Sequence, residues 1–387
     1  MREFAARFRW AWPGSGFRAL DISVNDDRRP EHIGSDAKVS AMTPRPASRT
    51  RPTMNDVARA AGVSAKTVSR VVNGVDYVSA ETLELVHSAI ESLGFRRNEF
   101  ARQLRQGTTA TIGLVLEDIG DPFYSVLSRA VEDVAFARGY TLLAASSAED
   151  PDRFRRLIES FTSRGVDGLI IVPAGGTDAN LLRAEMDAGC TMVFVDRPAD
   201  DLEADTVLVD NRGGAKHGTA HLIAHGHRRI AYFGDDERVF TAGERRDGYL
   251  DAFVAAGIRP APELIVMSNP NRDAAADDVG RILEADDPPT AVMTGNNRWS
   301  VQVLRTLRAR DASPTAFVGF DDFEFADLLT PGATVVAQDP AAMGRTAAEL
   351  LLRRIEGDTE SPRQHVRLAT ALIQRGSGEL PGPYRLG

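Results

Sequence analysis

Lys66 and Arg70 stand four residues apart in the run Ser64-Ala65-Lys66-Thr67-Val68-Ser69-Arg70-Val71-Val72, with Ala65 and Ser69 beside them. Residues at that spacing share one helix face. Two cations framed by small side chains make a face slim enough for a groove and positive enough for phosphate, so the chemistry is nucleic-acid contact. Far downstream Asp196, Arg245, Asn296 and Asp321 follow or interrupt apolar runs. Carboxylates, an amide and a guanidinium at strand ends can grip vicinal hydroxyls bidentately, which is recognition of a small polyhydroxylated molecule. No Gly-x-Ser-x-Gly nucleophile motif and no identifiable pair of catalytic acids accompanies them, so the expectation is no enzymatic activity.

Two other constellations invite chemistry. His217, His221 and His225 recur at i, i+4 and i+8 and would line one helix face, with His227 close by. Zinc sites use such spacing. No Glu stands in a His-Glu-x-x-His arrangement, and the expectation is no metal and no cofactor. Asp210-Asn211-Arg212-Gly213-Gly214 is glycine-rich but lacks the Lys-Ser/Thr of a phosphate loop. It reads as a strand end followed by a helix start.

The basic face needs a scaffold, and the flanking residues supply one. Thr53 is a helix N-cap with Asp56 three residues on, and Val57, Ala60 and Ala61 form one apolar stripe. Gly62 sits where the helix must stop and turn. Ser64 caps a second helix whose Val68, Val71 and Val72 face inward, and Ser79 caps a third carrying Leu83, Val86, Ile90 and Leu93 at helical spacing. Two short helices joined by a glycine turn make a helix-turn-helix. After it, Phe100, Ala101 and Leu104 share a face flanked by Arg102 and Arg105, which predicts a linker helix closed by Gly107.

The polyhydroxyl-binding set needs a different frame. Apolar runs at 112–116, 141–145, 168–172, 192–195, 207–209, 230–233, 264–267, 291–293, 316–318 and 334–337 alternate with helical patterns at 124–138, 152–164, 213–225, 244–256 and 299–308. Such alternation predicts parallel sheets covered on both faces, and ten strands suit two sheets better than one. Ligands then bind at the carboxyl ends of the strands, in a cleft between two lobes.

Charge divides along the same boundary. Residues 42–107 hold ten Lys/Arg against six Asp/Glu, a net +4, and residues 1–41 carry +1. The whole-chain value of −9 therefore leaves −14 on residues 108–387. A basic head on an acidic body confines phosphate binding to the head. The single cysteine, Cys190, excludes an internal disulfide framework and fits a reducing cytoplasm. No apolar run is long enough to span a bilayer, and no signal-peptide core is evident. Residues 1–50 show no sustained period and are expected to be disordered. The segment before Met42 reads either as an upstream mis-assigned start or as a basic tail.

The string Asp56-Val57-Ala58 through Ala61-Gly62-Val63-Ser64, Thr67-Val68-Ser69-Arg70-Val71 and Asn73-Gly74 resembles the signature of the LacI/GalR family of bacterial transcription regulators. The resemblance continues to about residue 376 through Asp121-Pro122-Phe123-Tyr124, Val195-Asp196-Arg197-Pro198, Val209-Asp210-Asn211, Gly226-His227-Arg228-Arg229 and Val318-Gly319-Phe320-Asp321-Asp322. It implies an all-α helix-turn-helix head plus hinge helix, followed by an α/β periplasmic-binding-protein-like body of two doubly wound lobes. The implied divisions are a 1–50 extension, a 51–97 DNA-binding domain, a 98–109 hinge, a 110–376 effector and dimerisation domain, and a 377–387 tail. Lobe 1 would span about 110–209 and 339–360, and lobe 2 about 210–338 and 365–375.

The resemblance also implies roles. Thr53, Ser64, Ala65, Lys66, Thr67, Ser69, Arg70 and Asn73 of the head, with Asn98, Ala101 and Leu104 of the hinge, would contact DNA, Leu104 as a minor-groove wedge. Arg245, Asn296 and Asp321 match the family's ligand-contacting arginine, amide and acid. Asp196 would join them, Phe123 would be a wall, and Gln338 would lie on the crossover between lobes. Three departures stand out: Arg97 for a proline before the hinge asparagine, Asp121 for an asparagine before Pro-Phe, and Asn297 for an aspartate after Asn296. The implied protein is a cytoplasmic, nucleoid-associated homodimeric repressor on a pseudo-palindromic operator, controlled by a sugar or sugar derivative, with induction or co-repression left open. The alternatives are a solute-binding protein, which needs an export signal and no head, and a sugar-active enzyme, which needs catalytic acids.

Overall fold

The computed structural model describes residues 52–72, 78–95, 108–198, 202–271, 274–309 and 315–384. The chain divides into two compact units at Arg97 and Asn98.

The first unit holds α1 (Met54–Ala61), α2 (Ala65–Val72) and α3 (Ala80–Leu93). Each start is held by a side chain satisfying amides that the helix itself cannot. Thr53 and Asp56 form a reciprocal capping box, with Thr53 N–H donating to Asp56 Oδ2 at 2.9 Å and Asp56 N–H to Thr53 Oγ1 at 3.3 Å. Ser64 Oγ accepts from Thr67 N–H at 3.1 Å, and Ser79 Oγ from Thr82 N–H at 3.3 Å. Gly62 ends α1 at φ 67°, a conformation strained for other residues. Val57, Ala58, Ala61, Val68, Val71, Val86 and Ala89 form the small core. The stripe on α1 is therefore Val57, Ala58 and Ala61, and the expected Ala60 is exposed. Both α2 and α3 pack on α1, so the buried arc shifts one residue from the simple spacing. Leu93, expected inward, is 36% exposed at the end of α3. Residues 98–107 of the expected hinge, and Asn73, lie outside the described residues.

The second unit runs, in chain order, β1 (Thr111–Leu116), α4 (Pro122–Ala137), β2 (Thr141–Ser146), α5 (Pro151–Ser163), β3 (Gly168–Ile171), α6 (Ala179–Asp187), β4 (Thr191–Val195) and β5 (Asp205–Val209). It continues with α7 (Asn211–Ala224), β6 (Ile230–Gly234), α8 (Phe240–Ala255), β7 (Ile265–Met267), α9 (Ala275–Leu283), β8 (Ala291–Thr294), α10 (Asn297–Ala309), β9 (Ala316–Phe320) and β10 (Thr334–Ala337). The last elements are α11 (Pro340–Ile355), β11 (His365–Leu368) and β12 (Ala371–Ile373). Thr109 N–H and Thr108 Oγ1 donate to Asp167 at 2.8 and 2.5 Å and fix the approach to β1.

Two six-stranded sheets result, in the orders β11-β5-β4-β3-β1-β2 and β12-β10-β9-β8-β6-β7. Every pairing is parallel except β12 on β10. Central strands are apolar on both faces because helices cover both. Ile112, Leu114 and Leu116 of β1 enter one core, while Val115 enters the opposite one with Phe154, Ile158 and Phe161 of α5. The second sheet is covered the same way, by one cluster around Tyr249 and Phe253 and another around Trp299 and Val303.

The chain crosses between lobes after β5, after β10 and after β11. Residues 365–368 correct the expected boundary. They form β11, parallel to β5 in the first sheet, and only β12 joins the second. Both strands are short, half-exposed edges with no continuous apolar run to announce them. The expected division of 377–387 as a tail outside the lobes is also corrected from 377 to 384. Ser377 Oγ donates to the Phe317 carbonyl at 2.7 Å, Gly382 N–H to His225 O at 2.8 Å and Tyr384 N–H to Gly226 O at 3.1 Å, so this segment is part of the second lobe.

Candidate functional sites

In the head, α2 presents Lys66 and Arg70 exposed, with Ala65, Thr67 and Ser69 half-buried around them. Val68 and Val71 turn the other way, into the core. Ser64 and Thr67 hydroxyls lie 2.9 Å apart, and Ser64 is committed to the helix cap. Thr53 is likewise committed to Asp56, whose carboxyl is held below its usual range chiefly by the Thr53 hydroxyl. Lys66 and Arg70 are thus the expected residues that combine charge with exposure, and the other hydroxyls shape the helix that carries them.

In the body, a cleft at the carboxyl ends of the strands is lined by all six expected residues, Phe123, Asp196, Arg245, Asn296, Asp321 and Gln338. Asp196 follows β4 and Asp321 follows β9, equivalent places in the two lobes. Both have positive φ, 65° and 69°, a conformation Asp tolerates better than most residues and one that turns each carboxyl toward the cleft. Arg245, buried on α8, donates from Nε to Asn211 Oδ1 and from Nη1 to the Gly295 carbonyl, both at 2.7 Å. Its Nη1 lies 3.5 Å from Asp321 Oδ2, and its guanidinium stacks 3.9 Å from the Phe320 ring centroid. Gln338, on the crossover after β10, donates from Nε2 to Asp321 Oδ1. Asn296 begins the turn into α10, accepting from Trp299 N–H at 2.9 Å and donating to Asp235 Oδ2 at 3.2 Å. Tyr124 Oη donates to Asp196 at 3.1 Å.

A bridge spans the two lobes across this cleft. Arg298 of α10 reaches Glu117 Oε1 at 3.1 Å, Asp118 Oδ2 at 2.8 Å and Asp121 Oδ2 at 3.0 Å. Asn297 Nδ2 donates to Asp121 Oδ1 at 3.0 Å. Arg197, 4% exposed, holds Glu117 at 2.9 Å and Glu149 at 2.5 Å. Burial pushes the Glu117 carboxyl up to about 7, and the neighbouring Glu149 charge adds to the effect against the pull of Arg197 and Arg298. Burial also raises Asp235 and Asp321, the latter opposed by Arg245 and Gln338. The cleft holds about 500 Å³ outside protein atoms, but whole waters have only about 50 Å³ because side chains of both lobes meet across it. A sugar-sized ligand must part this bridge or rearrange it.

Glu117, Arg197, Asp235 and Arg298 were not among the expected site residues. Arg197 adjoins Asp196, Arg298 lies two residues after Asn296, and Glu117 and Asp235 directly follow β1 and β6, so strand-end position was the available signal. The two departures at Asp121 and Asn297 touch each other, which spacing could not reveal.

The histidine row serves structure. His221 Nε2 pairs with Glu379 at 2.5 Å, and His227 bridges Thr290 Oγ1 and the Leu380 carbonyl, both at 2.9 Å. His217 is exposed. Among the described residues no group of three His, Cys, Asp or Glu side chains is arranged to hold a metal ion. Asp210 caps α7 through Gly213 N–H at 3.0 Å, as a strand end meeting a helix start should. No described helix is long and apolar enough to cross a membrane.

Residues 53–98 match the model of bacterial regulatory proteins of the lacI family, and residues 219–378 match a periplasmic binding protein-like domain. The transcriptional regulator GalR of Escherichia coli is 33% identical over 305 residues, 78% of this chain and 88% of that protein. The chain belongs to the LacI family of bacterial transcriptional regulators. Its homologues of known role are regulators and not enzymes. The solved CelR–cellobiose complex is similar to this LacI-family regulator at 32% identity and a TM-score of 0.63, covering 84% of this chain and 100% of that one. The lac repressor dimer bound to operator shares the fold, with a TM-score of 0.74 at 24% identity over 85% of this chain and 99% of that one.

Proposed function

We propose that this regulator is a homodimeric repressor in the cytoplasm, associated with the nucleoid, that binds a pseudo-palindromic operator and changes affinity when a sugar or sugar derivative enters the inter-lobe cleft. The convergence of Phe123, Asp196, Arg245, Asn296, Asp321 and Gln338 on one cleft carries the reading. Arg245 and Asp321 form a rigid guanidinium–carboxylate corner able to hold two adjacent hydroxyls, and Phe123 offers the apolar wall. Similar proteins include one named ribose operon repressor and the regulator CelR, solved as a cellobiose complex, which favours this ligand class.

The mechanism follows from differential binding. A ligand that parts the Arg298 bridge favours one lobe arrangement over the other, and the hinge that precedes β1 transmits the difference to the reading head. Ala65 and Lys66 would meet base edges, and Arg70 a base or phosphate, while Asn73, Asn98, Ala101 and Leu104 would complete the DNA contacts. Thr53, Ser64, Thr67 and Ser69 would stand near the sugar–phosphate backbone.

The test is operator binding by the full chain over a salt series, with and without a panel of sugars and polyols. Sequence-preferring, salt-dependent binding that a sugar shifts, and that Arg245→Ala no longer shifts, is the expected result. Binding without sequence preference, or a sugar response intact in Arg245→Ala, refutes it.

A further inference from the structure

The cleft has more anionic than cationic side chains, and most of its donors are already engaged. Five carboxylates line it against three guanidinium groups. Arg197 is divided among Glu117, Glu149 and the Pro173 carbonyl. Arg298 is divided among Glu117, Asp118 and Asp121, and Arg245 among Asn211, Gly295 and Asp321. The amide donors of Asn296 and Asn297 go to Asp235 and Asp121. What remains is mostly acceptor capacity. Gln338 Nε2 is committed to Asp321, which leaves its Oε1 buried with no hydrogen-bond partner. A buried acceptor without a donor costs roughly 1–3 kcal/mol until something supplies one.

We propose that the effector carries an ammonium group beside its hydroxyls, an amino sugar or aminocyclitol rather than a neutral sugar, a sugar acid or a sugar phosphate. The inference rests on the cleft being the effector site. The hydroxyls take the Arg245–Asp321 corner, and the ammonium settles between Asp235 of the second lobe and Glu117 of the first. Burial raises both carboxyls, and the charge of Asp235 adds to the rise of Glu117. An ammonium brings three donors and one positive charge to Asp235, which accepts from the Asn296 amide and the Asp236 N–H and has no ion pair among the described residues. An anionic ligand would meet guanidinium groups already held by carboxylates and would add repulsion. Because Asp235 and Glu117 belong to different lobes, an ammonium between them would also cross-link the lobes, in place of or alongside Arg298.

The experiment is calorimetric titration of the full chain at pH 7 with matched sets: D-glucosamine, D-glucose and D-gluconate; D-galactosamine, D-galactose and D-galactonate; 2-deoxystreptamine and myo-inositol. At least one amine is expected to bind tenfold or more tightly than its neutral counterpart, with the acid weakest. Asp235→Asn should erase that preference. A neutral or acidic member that binds as tightly as its amine overturns the proposal, as does an amine preference that survives both Asp235→Asn and Glu117→Gln. If a neutral sugar wins and Arg245→Ala abolishes its binding, the cleft remains the effector site and only the ammonium inference falls. If no member binds and none alters operator affinity, both fall.

Discussion

Asp121 and Asn297 offer a direct measure of how the lobes are held together. Both are buried, and Asp121 accepts simultaneously from Asn297 Nδ2, from Arg298 Nε and from the Phe123 amide at the start of α4. Asp121→Asn keeps an acceptor for the amide but removes the charge facing Arg298. Charge-assisted hydrogen bonds contribute about 1.5–3 kcal/mol each. Arg298 retains Glu117 and Asp118, so a loss near the low end, about 1–2 kcal/mol, is expected. Asn297→Asp places a second carboxylate about 3 Å from Asp121, where two like charges at an effective dielectric of about 20 repel by roughly 5 kcal/mol. Protonation or a slight parting of the lobes relieves part of this, and about 2–3 kcal/mol should remain. Exchanging both residues restores one amide and one carboxylate at the same contact. The double variant should therefore be more stable than the sum of the singles by about 2 kcal/mol or more, measured by denaturant unfolding of the full chain. Additivity within about 0.5 kcal/mol would refute the claim that this contact joins the lobes as a pair.

Three further outcomes are expected. Arg354→Ala removes a guanidinium that holds buried Asp205 bidentately at 2.9 and 3.0 Å and also serves the carbonyls of Asp358, Ser361 and Pro362. Loss of one partner of a buried pair costs about 3–5 kcal/mol, and chemical denaturation should show it, with Arg354→Ala/Asp205→Asn recovering part. His227 is held below the ordinary imidazole range by burial. Its Nε2 must carry the proton facing the Leu380 carbonyl, so its contribution to stability is full above pH about 6.5 and is lost as pH falls through its lowered value. Melting curves of wild type and His227→Gln should diverge less as pH falls from 7 to 5. Finally, Lys66→Ala or Arg70→Ala should weaken operator binding by about 1–3 kcal/mol if the side chain reads a base, or reduce the salt slope by about one if it meets phosphate. No effect on either quantity would remove that residue from the interface.

The head was almost fully legible in the sequence because its determinants are local. Thr53 with Asp56, Gly62, and Ser64 with Thr67 act within four residues of one another, so spacing alone located α1, the turn and α2. The rotation of the buried arc on α1 escaped, since the packing of α2 and α3 decided it, and so did the exposure of Leu93 at the end of α3. In the body, ten strands and the strand-end residues were readable, because apolar runs reveal parallel strands buried on both faces. Edge strands β11 and β12 were not, because each is half-solvated and lacks that run.

By itself the sequence determined a helix with a basic face, a two-lobed α/β body and four polar residues of the kind that grip hydroxyls, Asp196, Arg245, Asn296 and Asp321. Tertiary structure alone decided what those residues face. Glu117, Glu149 and Arg197 meet at neighbouring strand ends of the first sheet, and Arg298 reaches Glu117 from the second lobe, so residues far apart in sequence share one cleft. Charge balance in that cleft is a property of the meeting and not of any segment. The sequence could show that Asp121 and Asn297 were unusual, whereas only the folded chain could show that they answer each other.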